Sequence, residues 1–164
     1  MKTMFGIKIE YEWQPFTIDG RHFCFSHKSS TRLEQKRCSH RGAAIYKWEG
    51  KITEGPHPHL GKIGILIDET NDLHSRINQY ATGTQAKGNK YWRTEFLECS
   101  KAALYVLECS RFELADGKVV PVSEMLNFRN GRLVLEQLLV LKERHTLSVN
   151  KWIVNKWDRA NKAL

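Results

Sequence analysis

Glu136 interrupts the apolar run Leu133-Val134-Leu135-Glu136-Gln137-Leu138-Leu139-Val140-Leu141. An ionised carboxylate in such a setting is expensive unless it is paired or holds a cation. Helical geometry offers the plainer alternative of a polar stripe shared with Arg132, Gln137 and Glu143. Arg76 and Tyr80 stand one helical turn apart, so a helix would put a guanidinium and a phenol on one face, a pairing suited to an oxyanion. Asp72, one turn before Arg76, offers an ordinary surface ion pair instead. Tyr46 and Lys62 lie in two short apolar segments. A phenol, with an ordinary pKa of about 10, gives up its proton near neutrality only beside a cation, and a lysine on an adjacent strand is one. Taken singly, a strand tyrosine is usually a packing residue and a strand-start lysine a solvated charge.

The elements that must position these residues fall into three blocks. In the first, Ile7-Lys8-Ile9-Glu10-Tyr11-Glu12-Trp13 alternates strictly and predicts a half-buried strand. A turn at Asp19-Gly20 and the run His22-Phe23-Cys24-Phe25 predict a return strand, hence an N-terminal β-hairpin. Residues 28–42 are polar and basic, with Arg37 and Arg41 among them, and read as a linker or a loop facing a polyanion. In the second block, residues 43–48 and 62–67 predict strands, and a loop rich in Pro and Gly joins them. Thr70 is a good N-cap, and Leu73, Ile77 and Tyr80 recur at helical spacing, so residues 71–81 predict a helix. Residues 91–99 suit a short helix and 104–109 a third strand. In the last block, Asp116-Gly117 is a turn, Pro121 to Glu124 resembles a helix start, and residues 131–145 predict a strong helix. The order strand, strand, helix, strand, helix is that of an α+β (α/β layered) domain, with helices laid on a small antiparallel sheet.

The chain of 164 residues carries 26 Lys and Arg against 18 Asp and Glu, a net charge of +8. Such an excess suits a polyanionic partner, nucleic acid or an anionic membrane surface, or simply a basic enzyme. No apolar run approaches the roughly 20 residues of a membrane helix, and the N-terminus lacks a signal-peptide core, so a soluble, intracellular, cytoplasmic protein is expected. Cys24, Cys38, Cys99 and Cys109 form no CxxC pair and are expected to be free thiols. Cys38-Ser39-His40 and His57-Pro58-His59 lack the spacing of zinc knuckles. The run Lys87-Gly88-Asn89-Lys90-Tyr91-Trp92-Arg93 interleaves basic and aromatic residues, as a nucleic-acid surface does, although Trp92 suits a core. Lys151, Lys156, Arg159 and Lys162 form a second basic face.

The ordered set Ala44-Ile45-Tyr46, Lys62-Ile63-Gly64, Thr70-Asn71-Asp72-Leu73-His74-Ser75-Arg76-Ile77-Asn78-Gln79-Tyr80, Leu135-Glu136-Gln137-Leu138-Leu139 and Val149-Asn150 resembles the GIY-YIG nuclease family. That family pairs a Gly-Ile-Tyr strand with a Tyr-Ile-Gly strand. An arginine-bearing helix follows, then a glutamate on an apolar helix and an asparagine some fifteen residues on. The resemblance covers residues 43–152, and the interval from Glu136 to Asn150 is 14 residues. Ala44 replaces the first glycine, and Lys62 replaces the second tyrosine, as in a compact restriction-endonuclease branch of the family. The loop between the triplets is longer than usual, and such insertions cost little.

The resemblance implies a small three-stranded antiparallel sheet flanked by helices, carrying a catalytic domain over residues 43–152. Residues 1–42 would be a recognition element and 153–164 a basic tail. It implies a Mg²⁺-dependent endonuclease (Mn²⁺ as an alternative ion) that hydrolyses phosphodiester bonds in double-stranded DNA, of restriction or phage type. Glu136 would hold the metal, Arg76 clamp the scissile phosphate, and Tyr46 act as general base with Lys62 as its cationic partner. Tyr80 would hydrogen-bond the phosphate and Asn150 support the site. Arg37, Arg41, His57, His59, Lys87, Lys90, Arg93 and Lys151 would contact DNA. Cutting both strands of a symmetric site would call for a homodimer. The alternatives are a non-catalytic DNA-binding module and a structure-specific repair nuclease.

Overall fold

The computed structural model describes residues 6–25, 40–53, 60–82, 99–148 and 150–153. It is a mixed α+β arrangement: a mostly antiparallel seven-stranded sheet with, among the described residues, three helices. The strands are β1 (Ile7–Pro15), β2 (Thr17–Ile18), β3 (Arg21–His22), β4 (Cys24–Phe25), β5 (Ala44–Ile52), β6 (Ile63–Thr70), β7 (Cys99–Leu114), β8 (Val119–Val120) and β9 (Lys151–Ile153). The helices are α1 (Leu73–Thr82), α2 (Val122–Asn127) and α3 (Arg129–Thr146). The sheet order is β1-β7-β5-β6-β9, with β4 and β8 also paired to β7, while β2 and β3 form a separate two-stranded ladder.

The N-terminal block departs from expectation. The turn at Asp19-Gly20 joins only the short β2 and β3, and both its residues have positive φ (51° and 71°). β1 does not pair with a return strand; it pairs along its whole length with β7. The physical reason lies in β1's own alternation. Ile7, Ile9, Tyr11 and Trp13 pack against the core beneath α3, and a nine-residue strand needs a ladder of similar length. The 16-residue β7 supplies it, whereas residues 21–25 offer two-residue fragments. The first block is therefore part of the main sheet. Ile153, placed by the sequence in a tail, is also core: it pairs with Ile65 and is buried.

The sheet has two apolar faces, which explains why β5 opens on Ala44-Ile45-Tyr46 and β6 on Ile63-Gly64-Ile65-Leu66-Ile67 with no polar alternation. On one face Ala44, Tyr46, Trp48, Leu66 and Leu104 meet Leu73 and Ile77 of α1, with Phe23 and Ile18 completing the cluster. On the other, Ile45, Ile65, Ile67 and Leu107 meet Leu135, Leu139 and Val140 of α3. Lys47 lies on this second face and is buried. Its ammonium is 3.4 Å from Glu49 and stands over the rings of Trp13 and Tyr105 at 5.1 and 4.9 Å, which compensates its desolvation.

α1 begins two residues later than the sequence suggests. Thr70 still belongs to β6, and Asp72 acts at the helix start, accepting from the Ser75 hydroxyl and the Gly42 amide. Those hydrogen bonds, the Ser75 hydroxyl first, hold the Asp72 carboxyl below its ordinary range. The expected helix over 91–99 lies outside the described residues.

α2 and α3 meet at Gly131, where a Cβ would run into the backbone carbonyl of Met125. That atom belongs to a helix backbone and cannot swing aside. Gly131→Ala is expected to destabilise the fold by about 2 kcal/mol, despite alanine's better helix propensity. Urea denaturation of the variant checks this, and an unchanged midpoint would show that the two helices can part freely.

Candidate functional site

β9 pairs with β6 only from Ile63 to Ile65, so beyond Ile65 the outer side of β6 has no strand neighbour among the described residues. Polar side chains from both faces of the sheet meet there. Asp68, opposite Tyr46 in the ladder, points to the α1 face; Glu69, opposite Ile45, points to the α3 face. The Tyr46 hydroxyl donates to Asp68 Oδ2 at 2.7 Å, and the Glu69 amide donates to Asp68 Oδ1 at 2.8 Å. Arg76 reaches in from α1, with Nη1 3.9 Å from Asp68 Oδ2 and Nη2 3.5 Å from the Glu69 carbonyl. It thus turns inward, and its link to Asp72 is the ordinary backbone hydrogen bond of the helix start.

From the other face, Arg132 of α3 donates through Nε to Glu69 Oε2 at 2.5 Å and through Nη1 to the Leu126 carbonyl at 2.8 Å. The guanidinium therefore satisfies a carbonyl at the C-terminal end of α2 as well as a carboxylate on β6, and it is buried. One turn further along α3, Glu136 is buried beside Gln137, whose amide donates to it at 3.4 Å. The Glu136 carboxyl is pushed up to about 8, first by burial, then by the charges of Asp68 and Glu69, with Arg76 pulling the other way. Burial also raises the Asp68 carboxyl, against the opposing pull of Arg76 and the Tyr46 hydrogen bond.

Of the residues singled out by the sequence, Tyr46, Arg76 and Glu136 converge here from three different elements. Tyr80 lies one turn beyond Arg76 on α1. Lys62 and Asn150 do not join them. The Ile52 amide donates to the Lys62 carbonyl and the Ile63 amide to the Asn150 carbonyl, both at the opposite end of β6. At about 3.3 Å per residue that end is some 17–20 Å from Asp68, too far for Lys62 to act on Tyr46. An antiparallel hairpin places the start of its second strand beside the end of its first, and Lys62 precedes β6 while Tyr46 lies near the start of β5. Asp68 is the partner that the sequence reading gave to Lys62. Asp68, Glu69 and Arg132 were not singled out as site residues; the visible signal was the acidic pair closing an apolar strand.

Arg41 is exposed, and Lys151 sits 3.9 Å from Glu49 near the far end of β6. Arg37, His57, His59, Lys87, Lys90 and Arg93 lie outside the described residues. Among the described residues no three His, Cys, Asp or Glu side chains are grouped closely enough to hold a metal ion by themselves. No described helix is long and apolar enough to cross a membrane. No protein-family model matches this chain, nor does any curated protein or solved structure.

The Glu136 shift has a measurable sign. Its carboxyl keeps a proton in the folded chain up to about 8, while the unfolded chain releases it near 4.5. Folded chains bind more protons across that window, so stability from this group is full below 4.5 and is lost as pH rises through 8. Glu136→Gln removes the effect. In metal-free denaturation from pH 5 to 9, wild type is expected to lose on the order of 3 kcal/mol relative to the variant. Parallel pH profiles would contradict the buried, charge-crowded environment of Glu136.

Proposed function

We propose that this chain is a Mg²⁺-dependent endonuclease hydrolysing phosphodiester bonds in double-stranded DNA, akin to the compact restriction-type members of the GIY-YIG family. One observation carries the reading. Tyr46 and Arg76, far apart in sequence and chosen there by type and order, meet at Asp68 on one sheet edge, and Glu136 of α3 stands near enough to feel the charges of Asp68, Glu69 and Arg76.

The donor chemistry suits a hard divalent cation. Asp68, Glu69 and Glu136 lie toward this edge with two guanidinium groups, Arg76 and Arg132; burial first, and then the charges of Asp68 and Glu69, drive the Glu136 carboxyl up. Mg²⁺ is commonly held by one or two carboxylates, with water and substrate phosphate filling its shell, so three grouped protein ligands are not needed. Glu136 is the residue that would hold it, and the ion would supply charge stabilisation for the phosphoryl oxygens and the leaving group. Arg76, partly exposed, binds the scissile phosphate through its planar fork. The Tyr46–Asp68 pair lies beside Arg76, where the attacking water has to lose a proton. Arg132 fixes α3 to β6 and so sets where Glu136 stands. Target selection falls to the basic segments, and symmetric cutting of two strands would use a homodimer.

A second reading, a DNA-binding module without catalysis, is favoured by one observation: Lys62 and Asn150 lie at the far end of β6, away from the other three. Plasmid nicking separates the two. Wild type with Mg²⁺ is expected to convert supercoiled plasmid to nicked and linear forms. Arg76→Ala and Glu136→Ala are each expected to be slower by about 100-fold or more, with folding intact. Binding without nicking in Mg²⁺ and Mn²⁺ would leave the module reading. In either case log K against log salt concentration is expected to slope by about −0.9 per phosphate contacted, and a flat plot would remove DNA as the partner.

A further inference from the structure

We propose that Asp68, not Tyr46, is the general base of this site, and that Tyr46 is the residue that positions it. The inference rests on the nuclease reading and assigns a role within it.

Accessibility decides between the two members of the pair. A general base must come within about 2.6–3.2 Å of the proton it takes. Tyr46 is 0% exposed, enclosed in the core cluster with Trp48, Leu66, Leu73 and Ile77, and its hydroxyl is already committed to Asp68. The Asp68 side chain retains 28% exposure and the Arg76 side chain 25%, so both reach the surface at the same edge. A water attacking a phosphate clamped by Arg76 would meet Asp68 first.

The hydrogen bonds around Asp68 fix its aim. Oδ2 accepts from the Tyr46 hydroxyl and Oδ1 from the Glu69 amide. A carboxylate has about four acceptor sites, so two donors leave lone pairs for a water. The charged or titratable groups bearing on it are Arg76 from α1, Tyr46 from β5, its neighbour Glu69, and Glu136 from α3. Burial raises the basicity of the carboxylate above that of an ordinary aspartate. In the step itself, the water oxygen forms its bond to phosphorus as one water proton passes to Asp68. The bond from phosphorus to the leaving oxygen breaks, and that oxygen takes a proton from solvent. Asp68 returns its proton to solvent afterwards. No proton needs to pass through the sealed phenol. Tyr46 holds the carboxylate in one orientation and, by donating to it, favours its ionised form.

The test is plasmid cleavage in Mg²⁺ over a range of pH for wild type, Asp68→Asn, Asp68→Glu and Tyr46→Phe, with DNA binding measured in Ca²⁺ and melting curves for each. Asp68→Asn is expected to lose about 100-fold or more in rate with binding within a few-fold of wild type, and Asp68→Glu to recover part of that loss. Tyr46→Phe is expected to lose only about tenfold, and the acidic limb of its rate profile should move to higher pH, because the carboxylate has lost a stabilising donor. The reverse pattern, Tyr46→Phe inactive at every pH and Asp68→Asn near wild type, would overturn the assignment while leaving the nuclease reading in place. So would an acidic limb that does not move in Tyr46→Phe, which decides the matter even if Asp68→Asn fails to fold. Wild-type protein that binds but never cuts would overturn both.

Discussion

Near the end of β6, Asp68 faces Arg76 on one side of the sheet, and Glu69 and Glu136 lie with Arg132 on the other, close enough for the charges of Asp68 and Arg76 to reach Glu136. Taking charges out of water costs several kcal/mol per ion unless geometry returns it. Here the return is of two kinds. Arg132 is buried and closely matched to the half-buried Glu69, and its guanidinium also satisfies the end of α2. Arg76 stands further off from Asp68 and keeps part of its surface. Glu136 is left with a carboxyl that prefers its proton until a positive charge comes near.

The sheet brings these charges toward the end of β6. β6 is covered by β5 along its inner side but by β9 only at its beginning. The two helices lie on opposite faces, each with its own apolar cluster, so Arg76 and Glu136 can interact only around the end of the sheet. β1 and β7 lie on the other side of β5, where they extend the ladder and support α3 from below. The stiffness of a sheet buried on both faces lets charged groups be held in place without a closed pocket.

Much of the core was legible in the sequence. The runs around Tyr46 and Ile65, the period of residues 71–81 and the apolar helix carrying Glu136 each belong to an element bounded within a few residues of where it was expected. These are local signals, set by hydrophobic period and by residues such as Asp72 that favour a helix start. Pairing was not legible. β1 carries a clear strand pattern, but nothing in it says that its partner lies some hundred residues away in β7, because the pattern records which face is buried and not which ladder completes it. The same limit moved Ile153 from tail to core.

For the site, sequence by itself determined the chemical types and their order: a phenol on one strand, a guanidinium on the next helix, a carboxylate inside an apolar helix. Only the tertiary structure decided the neighbours. The register of the β5–β6 hairpin puts Asp68 opposite Tyr46 and carries Lys62 to the far end, since strands running in opposite directions bring together residues far apart in sequence and separate those nearer by. Burial then divided the work between Tyr46 and Asp68, by sealing one and leaving the other at the edge. Exposure depends on how α1 lies across the sheet, and no residue spacing encodes it.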